Sequence, residues 1–453
     1  LPNCLTVMAH GARLLRHCWK KIVENMEPWG SQNPSEGLNE EEREALLEIM
    51  RMGFPPRCAS YLEFQDDGAL PVLAPTVHEI DEPYFKDFWE KEGYLGAVPD
   101  GNARRDRIKM TTRVDRIFLP EEKRATQEMD DRNGTDDAWK KMMSEAKDAM
   151  VEVTEVPQGK DLFLRGVDIR IMSGAAAGKK LSLADIRGNM LVIGENFGMD
   201  RPSEVLSMLR EGDELLLDNS DYIALGTWHR HQVPEDRSFY CFDQYRDGNG
   251  NPIYPQRDMV ISFGFTAGGC GSVQDGCVQG KVIIMNNLMD GDFPWQADWY
   301  KKLIYRVKGD AGKDYVRLYY NDNAPHGDVS EGGDPNRVVS YLGMLRQGLL
   351  ELSAWVEDGK EPAAESGYDL IDSQIYLKSP AEERGGLQPM VSLQANGGSL
   401  AEIKARQAVT FHANIALPEG AGELEDIEWN LSGTEYKSCG KTADTMTWVY
   451  EKP

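Results

Sequence analysis

The 453-residue chain lacks several signals that assign a sequence to a protein class. No run of eighteen apolar residues occurs, so no membrane-spanning helix is expected. Basic residues are few, with 50 lysines and arginines against 75 aspartates and glutamates, which gives a net charge of −25. Because such a surface repels phosphate backbones, nucleic acid is not an expected partner. Most of this charge is interpreted as a solvated surface.

Cysteine is also scarce, and its spacing does not fit the common metal sites. The seven cysteines include no Cys-x-x-Cys pair and no zinc-ligand pattern, so neither a metal nor another cofactor is predicted. Cys270 and Cys277 bracket a short loop and could form a disulfide if the protein is exported. The odd number leaves at least one thiol unpaired or bonded elsewhere, and free buried thiols are the alternative to bridges.

Two short motifs carry the chemistry that the sequence does offer. Met-Asp-Gly-Asp-Phe-Pro, at 289–294, follows the apolar run 282–285, and Asn-Asp-Asn-Ala-Pro-His-Gly, at 321–327, follows the run 315–320. Between them, residues 296–307 place apolar side chains at helical spacing. The order strand, aspartate, helix, strand, histidine brings a carboxylate and an imidazole to the carboxyl ends of neighbouring parallel strands. A carboxylate that orients a histidine is the arrangement that activates a nucleophile.

This order resembles the C-terminal half of the α/β-hydrolase superfamily, whose acid and histidine follow the nucleophile along the chain. The acid of that superfamily commonly stands four positions before a proline, as Asp290 stands before Pro294, and Asp292 is the alternative. The resemblance implies that Asp290 orients His326 and that His326 is the general base and acid.

The tail of the same region is similar to tannases and feruloyl esterases. The similar pieces are Arg-Leu-Tyr-Tyr at 317–320 and a helix ending in Trp-Val-Glu-Asp-Gly-Lys-Glu-Pro at 355–362, and the likeness covers roughly 280–362. It implies a carboxylic-ester hydrolase that acts on a small aryl or acyl ester. Amide or peptide hydrolysis on the same triad is one alternative, and a hydrolase-fold binding or scaffold protein without activity is the other.

The nucleophile of such an enzyme is missing, because no Gly-x-Ser-x-Gly occurs in the chain. The nearest segment is Gly-Phe-Thr-Ala-Gly-Gly, in which Thr266 would be the nucleophile, and Cys270 follows it. No helical period comes next to help hold an oxyanion, so a glycine-rich loop is the preferred interpretation. We therefore expect a serine from a segment or companion polypeptide beyond these residues, packed against residues 1–30 and 282–285. The absence of an initiating methionine is interpreted in the same way, as the sign of a processed or incomplete chain.

The region 1–160 is predicted to be mainly helical and to form a lid over the substrate. An amphipathic helix is expected over 8–26, a second from the N-cap Asn39 to Arg51, and a third over about 136–151.

Three further segments complete the predicted domain organisation. Residues 161–235 are interpreted as a small β-rich insertion and 236–365 as the C-terminal half of the hydrolase core. After a linker at 378–386, the segment 386–453 alternates short strands with turns, which is typical of a β-sandwich. The predicted fold class is α/β, a hydrolase core with a large helical and β lid insertion and a C-terminal β-sandwich.

The terminal segment resembles an immunoglobulin-like domain of the polycystic-kidney-disease type. Glu-Trp-Asn-Leu at 428–431 and Tyr-Glu-Lys-Pro at 450–453 match its landmarks, and the domain is expected to be incomplete. Such modules accompany extracytoplasmic or secreted enzymes, which is the location that the resemblance implies.

Secondary candidates for substrate contacts are His229, His231 and Trp295. The two histidines could offer imidazoles from one strand face, for a metal or for the substrate pocket. The loop 247–251 has calcium-like spacing, but Pro252 stands where the sharp turn requires glycine, so a simple turn is preferred.

Overall fold

A computed structural model describes residues 4–63, 69–119, 149–158, 166–194, 200, 202–258, 274–327, 337–433 and 435–452. The α-helices are α1 Cys4–Leu15, α2 Trp19–Asn25, α3 Glu40–Met52, α4 Ala69–Ile80, α5 Glu82–Glu90, α6 Asn102–Arg105, α7 Pro202–Met208, α8 Ser220–His231, α9 Trp295–Lys308, α10 Leu342–Glu357 and α11 Ala381–Arg384. The strands are β1 Lys109–Phe118, β2 Met150–Val153, β3 Asp168–Ile171, β4 Lys180–Arg187, β5 Met190–Ile193, β6 Glu214–Asp218, β7 Val282–Met289, β8 Val316–Pro325, β9 Tyr368–Ile371, β10 Gln374–Leu377, β11 Met390–Ala395, β12 Ala408–Ala416, β13 Glu428–Trp429, β14 Lys437–Ser438 and β15 Thr445–Val449. Within these ranges, no helix combines the length and the apolar character that crossing a membrane requires.

Six antiparallel strands close into a barrel in the first of two units, which comprises Leu1–His10 and Gln65–Val273. The strand order is β1-β2-β5-β4-β3-β6, and the pairing of β1 with β6 sets Lys109 opposite Asp218 and closes the sheet. Buried aliphatic side chains form its core, among them Val114, Val151, Val153, Ile169, Leu181, Leu191, Leu215 and Leu217. Closure pairs the strand edges that an open sheet would expose.

The barrel extends beyond the predicted insertion at 161–235, because it includes β1 and β2 from the region predicted to be helical. The predicted helix over 136–151 is wrong at its end, where Met150–Val153 form a strand. Val151 and Val153 are buried and the residues beside them are half-buried, which is the two-residue period of a strand. Residues 136–148 lie outside the described part of the chain.

Aromatic side chains hold together the helices of the first unit. Helices α4, α5 and α8 share a core that includes Tyr84, Phe85, Phe88, Tyr94 and Trp228. His229 and His231 lie on α8, so the prediction that they share a strand face is wrong. Residues two apart on a helix point to different sides, so the two imidazoles do not form a pair.

The second unit comprises Gly11–Phe64 and Gln274–Pro453, so part of the predicted lid belongs with the predicted core. The single helix expected over 8–26 is wrong, because α1 ends at Leu15 and α2 begins at Trp19. Cys18 has φ −119° and ψ 7°, and its N–H donates to the Leu15 carbonyl at 3.0 Å. Apolar periodicity runs on across such a short turn, so it does not reveal the break.

Helix α3 forms as its capping residues predict. The Asn39 side chain accepts a hydrogen bond from the Glu42 N–H at 2.9 Å, and the Glu42 carboxylate accepts one from the Asn39 N–H at 2.8 Å. Gly53 ends the helix in the left-handed conformation, with φ 107°. The predicted N-cap and stop are both confirmed.

Strands β7 and β8 are parallel and adjacent, as predicted, and α9 connects them. The register sets Val282 opposite Val316 and Met289 opposite Pro325, so the two strands end together. Ala297 of α9 packs with Leu318 and Tyr320 of β8, which keeps the connecting helix on the sheet.

The segment predicted as a linker at 378–386 is ordered and contains α11. Its backbone bonds back to the preceding chain, since the Gly386 N–H donates to the Ala364 carbonyl at 2.8 Å. Beyond it, the antiparallel sheet β11-β12-β15 and the pair β13-β14 contribute to a core that includes Ala413, Ile427 and Trp429. The prediction of a β-sandwich for this segment stays a prediction.

Candidate functional site

Asp290 and His326 occupy equivalent places in the fold, since each is the first residue after one of the paired strands β7 and β8. The Nδ1 atom of His326 lies 3.0 Å from Oδ2 of Asp290. A carboxylate can only accept, so the Nδ1–H donates and the imidazole is held in one orientation. The structure therefore brings together the two residues that the sequence paired.

The second oxygen of Asp290 is bonded to the backbone. Oδ1 accepts a hydrogen bond of 2.8 Å from the N–H of Asp292, which closes a tight turn and fixes the carboxylate. The Asp290 side chain is 17% exposed and that of His326 is 61% exposed, so the imidazole is accessible from solvent.

Asp292, the alternative acid, lies beside the pair, since one ligand atom of each of Asp290, Asp292 and His326 lies within 4.8 Å of the other two. Desolvation of its carboxyl group and the negative charge of Asp290 raise the pKa of Asp292, while His326 opposes that shift. The 3.0 Å hydrogen bond between Asp290 and the imidazole supports Asp290 as the acid.

The residues that follow Asp290 pack closely against the end of α3. Phe293 is buried and adopts a left-handed conformation with φ 65°, which is strained for a residue with a side chain. Trp295 follows, and its indole N–H donates to the Met52 carbonyl at 2.8 Å. A Cβ atom on Gly53 would lie 2.1 Å from the Trp295 ring. Trp295, predicted from the sequence as a substrate contact, therefore anchors the start of α9 to the end of α3.

Two asparagines support the end of β8, and sequence analysis missed both. The Asn321 amide donates to Oδ1 of Asn287 at 2.8 Å, and the Asn287 amide donates to the Pro325 carbonyl at 2.9 Å. Pro325 immediately precedes His326, so this chain of bonds fixes the backbone that carries the imidazole. The sequence does contain a signal for both asparagines, since each is a polar residue near the carboxyl end of an apolar strand.

The thiol of Cys58 lies near the pair, but its environment disfavours a nucleophilic role. Cys58 is fully buried, and burial followed by the charge of Asp290 raises the pKa of its thiol. A buried thiol that keeps its proton is inert. The two candidate nucleophiles of the glycine-rich segment, Thr266 and Cys270, lie outside the described residues, and Cys277 is an exposed thiol.

Asp290, Asp292 and His326 also form one of two groups of possible metal ligands in the described ranges. One ligand atom from each residue lies within 4.8 Å of the others. A cation bound through Nδ1 of His326 would displace the proton that this nitrogen donates to Asp290.

The remaining histidine candidates lie in apolar or stacked environments of the first unit. Burial lowers the pKa of His229 to about 4. Burial and then Arg230 lower the pKa of His231 to about 4, and its ring stacks on Tyr254 with centroids 3.8 Å apart. Both are neutral at physiological pH and are part of the packing of α8.

The 247–251 loop is a turn, as preferred. Oδ1 of Asp247 accepts hydrogen bonds from the N–H groups of Asn249 at 2.9 Å and Asn251 at 2.8 Å. These bonds lower the pKa of Asp247.

A polar cleft of about 400 Å³ in the first unit was not predicted from the sequence. It is lined by side chains of both signs, including His78, Arg107, Arg170, Asp218 and Asp221. His78 Nδ1 lies 2.8 Å from Asp221, which also pairs with Arg170. The cleft depends on pairing between residues far apart in the sequence, so no local motif marks it.

Comparison with known proteins identified no relative of this chain. No protein-family model matches the chain, and no match was found among curated proteins or solved structures.

Proposed function

We propose that this chain provides the acid and the histidine of a serine-type carboxylic-ester hydrolase with an α/β-hydrolase core. The supporting observation is the 3.0 Å contact between His326 and Asp290 at the ends of two adjacent parallel strands. In this proposal the serine comes from a segment or companion polypeptide beyond these residues, and the substrate is a small aryl or acyl ester.

The chemistry follows from the two ring nitrogens of His326. With Nδ1–H bonded to Asp290, Nε2 takes the proton of the serine hydroxyl as its oxygen attacks the ester carbonyl. Asp290 stabilises the imidazolium that results. Nε2 then returns the proton to the departing alcohol, and a water molecule, deprotonated in the same way, releases the acid from the acyl-enzyme.

The surface around β7 supports the idea of a further element beside it. Residues 282–288 are only half-buried, whereas most of β8 is buried. Helix α10 packs over β7 and exposes several large apolar side chains: Leu345, Leu349, Leu350 and Val356. Exposed apolar groups clustered beside a strand are typical of a surface that binds another polypeptide.

The other predicted docking segment, residues 1–30, gives less support. Its apolar residues Leu15 and Ile22 are already fully buried within the chain. A companion would therefore contact β7 and α10 rather than the apolar faces of α1 and α2.

Amide or peptide hydrolysis on the same triad and an inactive scaffold remain the competing functions. Labelling of the native protein by a fluorophosphonate probe, followed by assays on aryl esters and matched anilides, separates all three. Ester hydrolysis with labelling, both lost in His326→Ala, is the expected result. A native protein that neither reacts with the probe nor hydrolyses either substrate would establish the scaffold function instead.

A further inference from the structure

The turn between α1 and α2 brings three potential metal ligands together in the second unit, in a group that shares no residue with the proposed catalytic pair. Ligand atoms of His17, Cys18 and Glu42 all lie within 4.8 Å of one another. His17 and Cys18 lie in the break that separates the two helices, and Glu42 is in the first turn of α3. The group therefore joins two parts of the chain that are distant in sequence.

The capping box orients Glu42 for this role. Its Oε2 accepts the Asn39 N–H at 2.8 Å, while Oε1 lies 3.0 Å from Nε2 of His17. One oxygen is thus held by the backbone and the other faces the imidazole. The carboxylate is pre-positioned without any metal.

Cys18 completes the set with a sulfur ligand. Its Sγ donates to the Leu15 carbonyl at 3.3 Å, which keeps the thiol on the inner side of the turn. Burial, and then the negative charge of Glu42, raise the pKa of Cys18, so the side chain is a neutral thiol when no cation is present. A bound cation would favour the thiolate form of Cys18, because the positive charge of the metal takes the place of the thiol proton.

The spacing of His17 and Glu42 suits a first-row divalent metal. Tetrahedral zinc holds nitrogen and oxygen ligands at about 2.0–2.2 Å, which sets neighbouring ligand atoms about 3.4 Å apart. The 3.0 Å separation of His17 and Glu42 is close to that value, and an exposed histidine, 66% accessible, can adjust its ring. Sulfur, imidazole and carboxylate are all established zinc ligands.

We propose that His17 Nε2, Cys18 Sγ and Glu42 Oε1 bind Zn²⁺, with water as the fourth ligand. On binding, the Cys18 thiol releases its proton to solvent and His17 takes the tautomer protonated at Nδ1. The sulfur and nitrogen lone pairs and the carboxylate then each form one bond to the metal. The ion links the turn after α1 to the start of α3, so it stabilises the N-terminal part of the second unit.

Cobalt substitution tests the site without any assay of activity. The purified chain, stripped of metal with a chelator, is titrated with Co²⁺ and followed by absorption, because a cysteine ligand gives an intense thiolate-to-cobalt band. The band is expected in the wild-type chain and in Cys277→Ser, which removes an exposed thiol elsewhere. It is expected to disappear in Cys18→Ser.

Further variants distinguish the ligand set from other sites. His17→Gln and Glu42→Gln, the latter keeping the capping acceptor, are expected to weaken Co²⁺ binding at least about tenfold. Asp292→Asn alters the other ligand group and is expected to leave the thiolate band unchanged. Absence of the band in the wild type, or its loss in Cys277→Ser with retention in Cys18→Ser, would overturn the proposal.

Discussion

The side-chain amide of Asn287 donates a 2.9 Å hydrogen bond to the carbonyl of Pro325, the residue that directly precedes His326. Asn287 accepts in turn from Asn321, so both paired strands contribute to the bond chain. The position of the imidazole thus depends on a side chain that does not touch it.

Replacing Asn287 by alanine is therefore expected to reduce catalysis without removing a reacting group. A small displacement of a catalytic side chain can lower rates by about 10–100-fold, and the loss of part-buried hydrogen bonds costs about 1–2 kcal/mol of stability. Fluorophosphonate labelling rate and urea unfolding measure the two effects. Gln296→Ala, an exposed amide on α9, is the matched control, and an equal effect in both variants would contradict this role for Asn287.

The two aspartates of the turn are expected to differ sharply in their effect on labelling. Asp290→Asn leaves the imidazole without its carboxylate and favours the wrong tautomer, so the rate should fall by about 10³–10⁴-fold. Asp292→Asn keeps the contact between Asp290 and His326, and its rate should change less than about tenfold. If the larger loss occurred in Asp292→Asn, Asp292 would be the triad acid.

Gly53→Ala is expected to destabilise the second unit strongly. The new Cβ would lie 2.1 Å from the Trp295 ring, and φ 107° is unfavourable for alanine. Together these effects should cost at least about 2 kcal/mol in the free energy of unfolding. Gly343→Ala on α10 is the control, since nothing lies within 4 Å of its new Cβ. That change should stabilise the helix by roughly 0.5–1 kcal/mol, and a loss of stability there would contradict the described packing.

Acid is expected to destabilise the first unit through His229. Its pKa is lowered to about 4 in the folded chain, from the ordinary histidine value of 6.5, because the ring is buried. The unfolded state therefore binds a proton first as pH falls, and stability is lost between about pH 6.5 and 4. Lowering the pH from 7.5 to 5 should remove about 2 kcal/mol through this residue.

His229→Gln cannot titrate, so its stability should depend less on pH across this interval. Urea unfolding at both pH values gives the difference for each protein. The pKa of His231 is lowered as well, but His231 is present in both proteins. Its contribution therefore cancels when the two pH dependences are compared. Equal pH dependence in wild type and variant would show that His229 does not contribute.

The features that the sequence predicted correctly depend on neighbours along the chain. The capping box of α3 is set by Asn39 and Glu42, three residues apart. The contact between Asp290 and His326 spans 36 residues and follows from one strand–helix–strand unit. Local hydrogen bonding and the parallel geometry of such a unit are enough to specify both.

The features that were missed depend on partners far away in sequence. Strand β1 belongs to the barrel because it pairs with β6, with Lys109 opposite Asp218. No local sequence pattern indicates which strand, so far away along the chain, will be its partner. The prediction of a strand at His229 is wrong because the four residues 228–231 are too few to distinguish the period of a helix from that of a strand. The helix break at Cys18 escaped detection because apolar spacing continues through it.

The continuity of the segment from β7 through α9 to β8 has a consequence for the order of folding. Asp290 and His326 meet within 36 residues, so little chain entropy is lost in closing the loop between them. Contacts of short sequence separation form early, and a ribosome synthesises this strand–helix–strand segment before it reaches β11–β15. The orientation of the imidazole can therefore be established during translation, before β11–β15 have been synthesised.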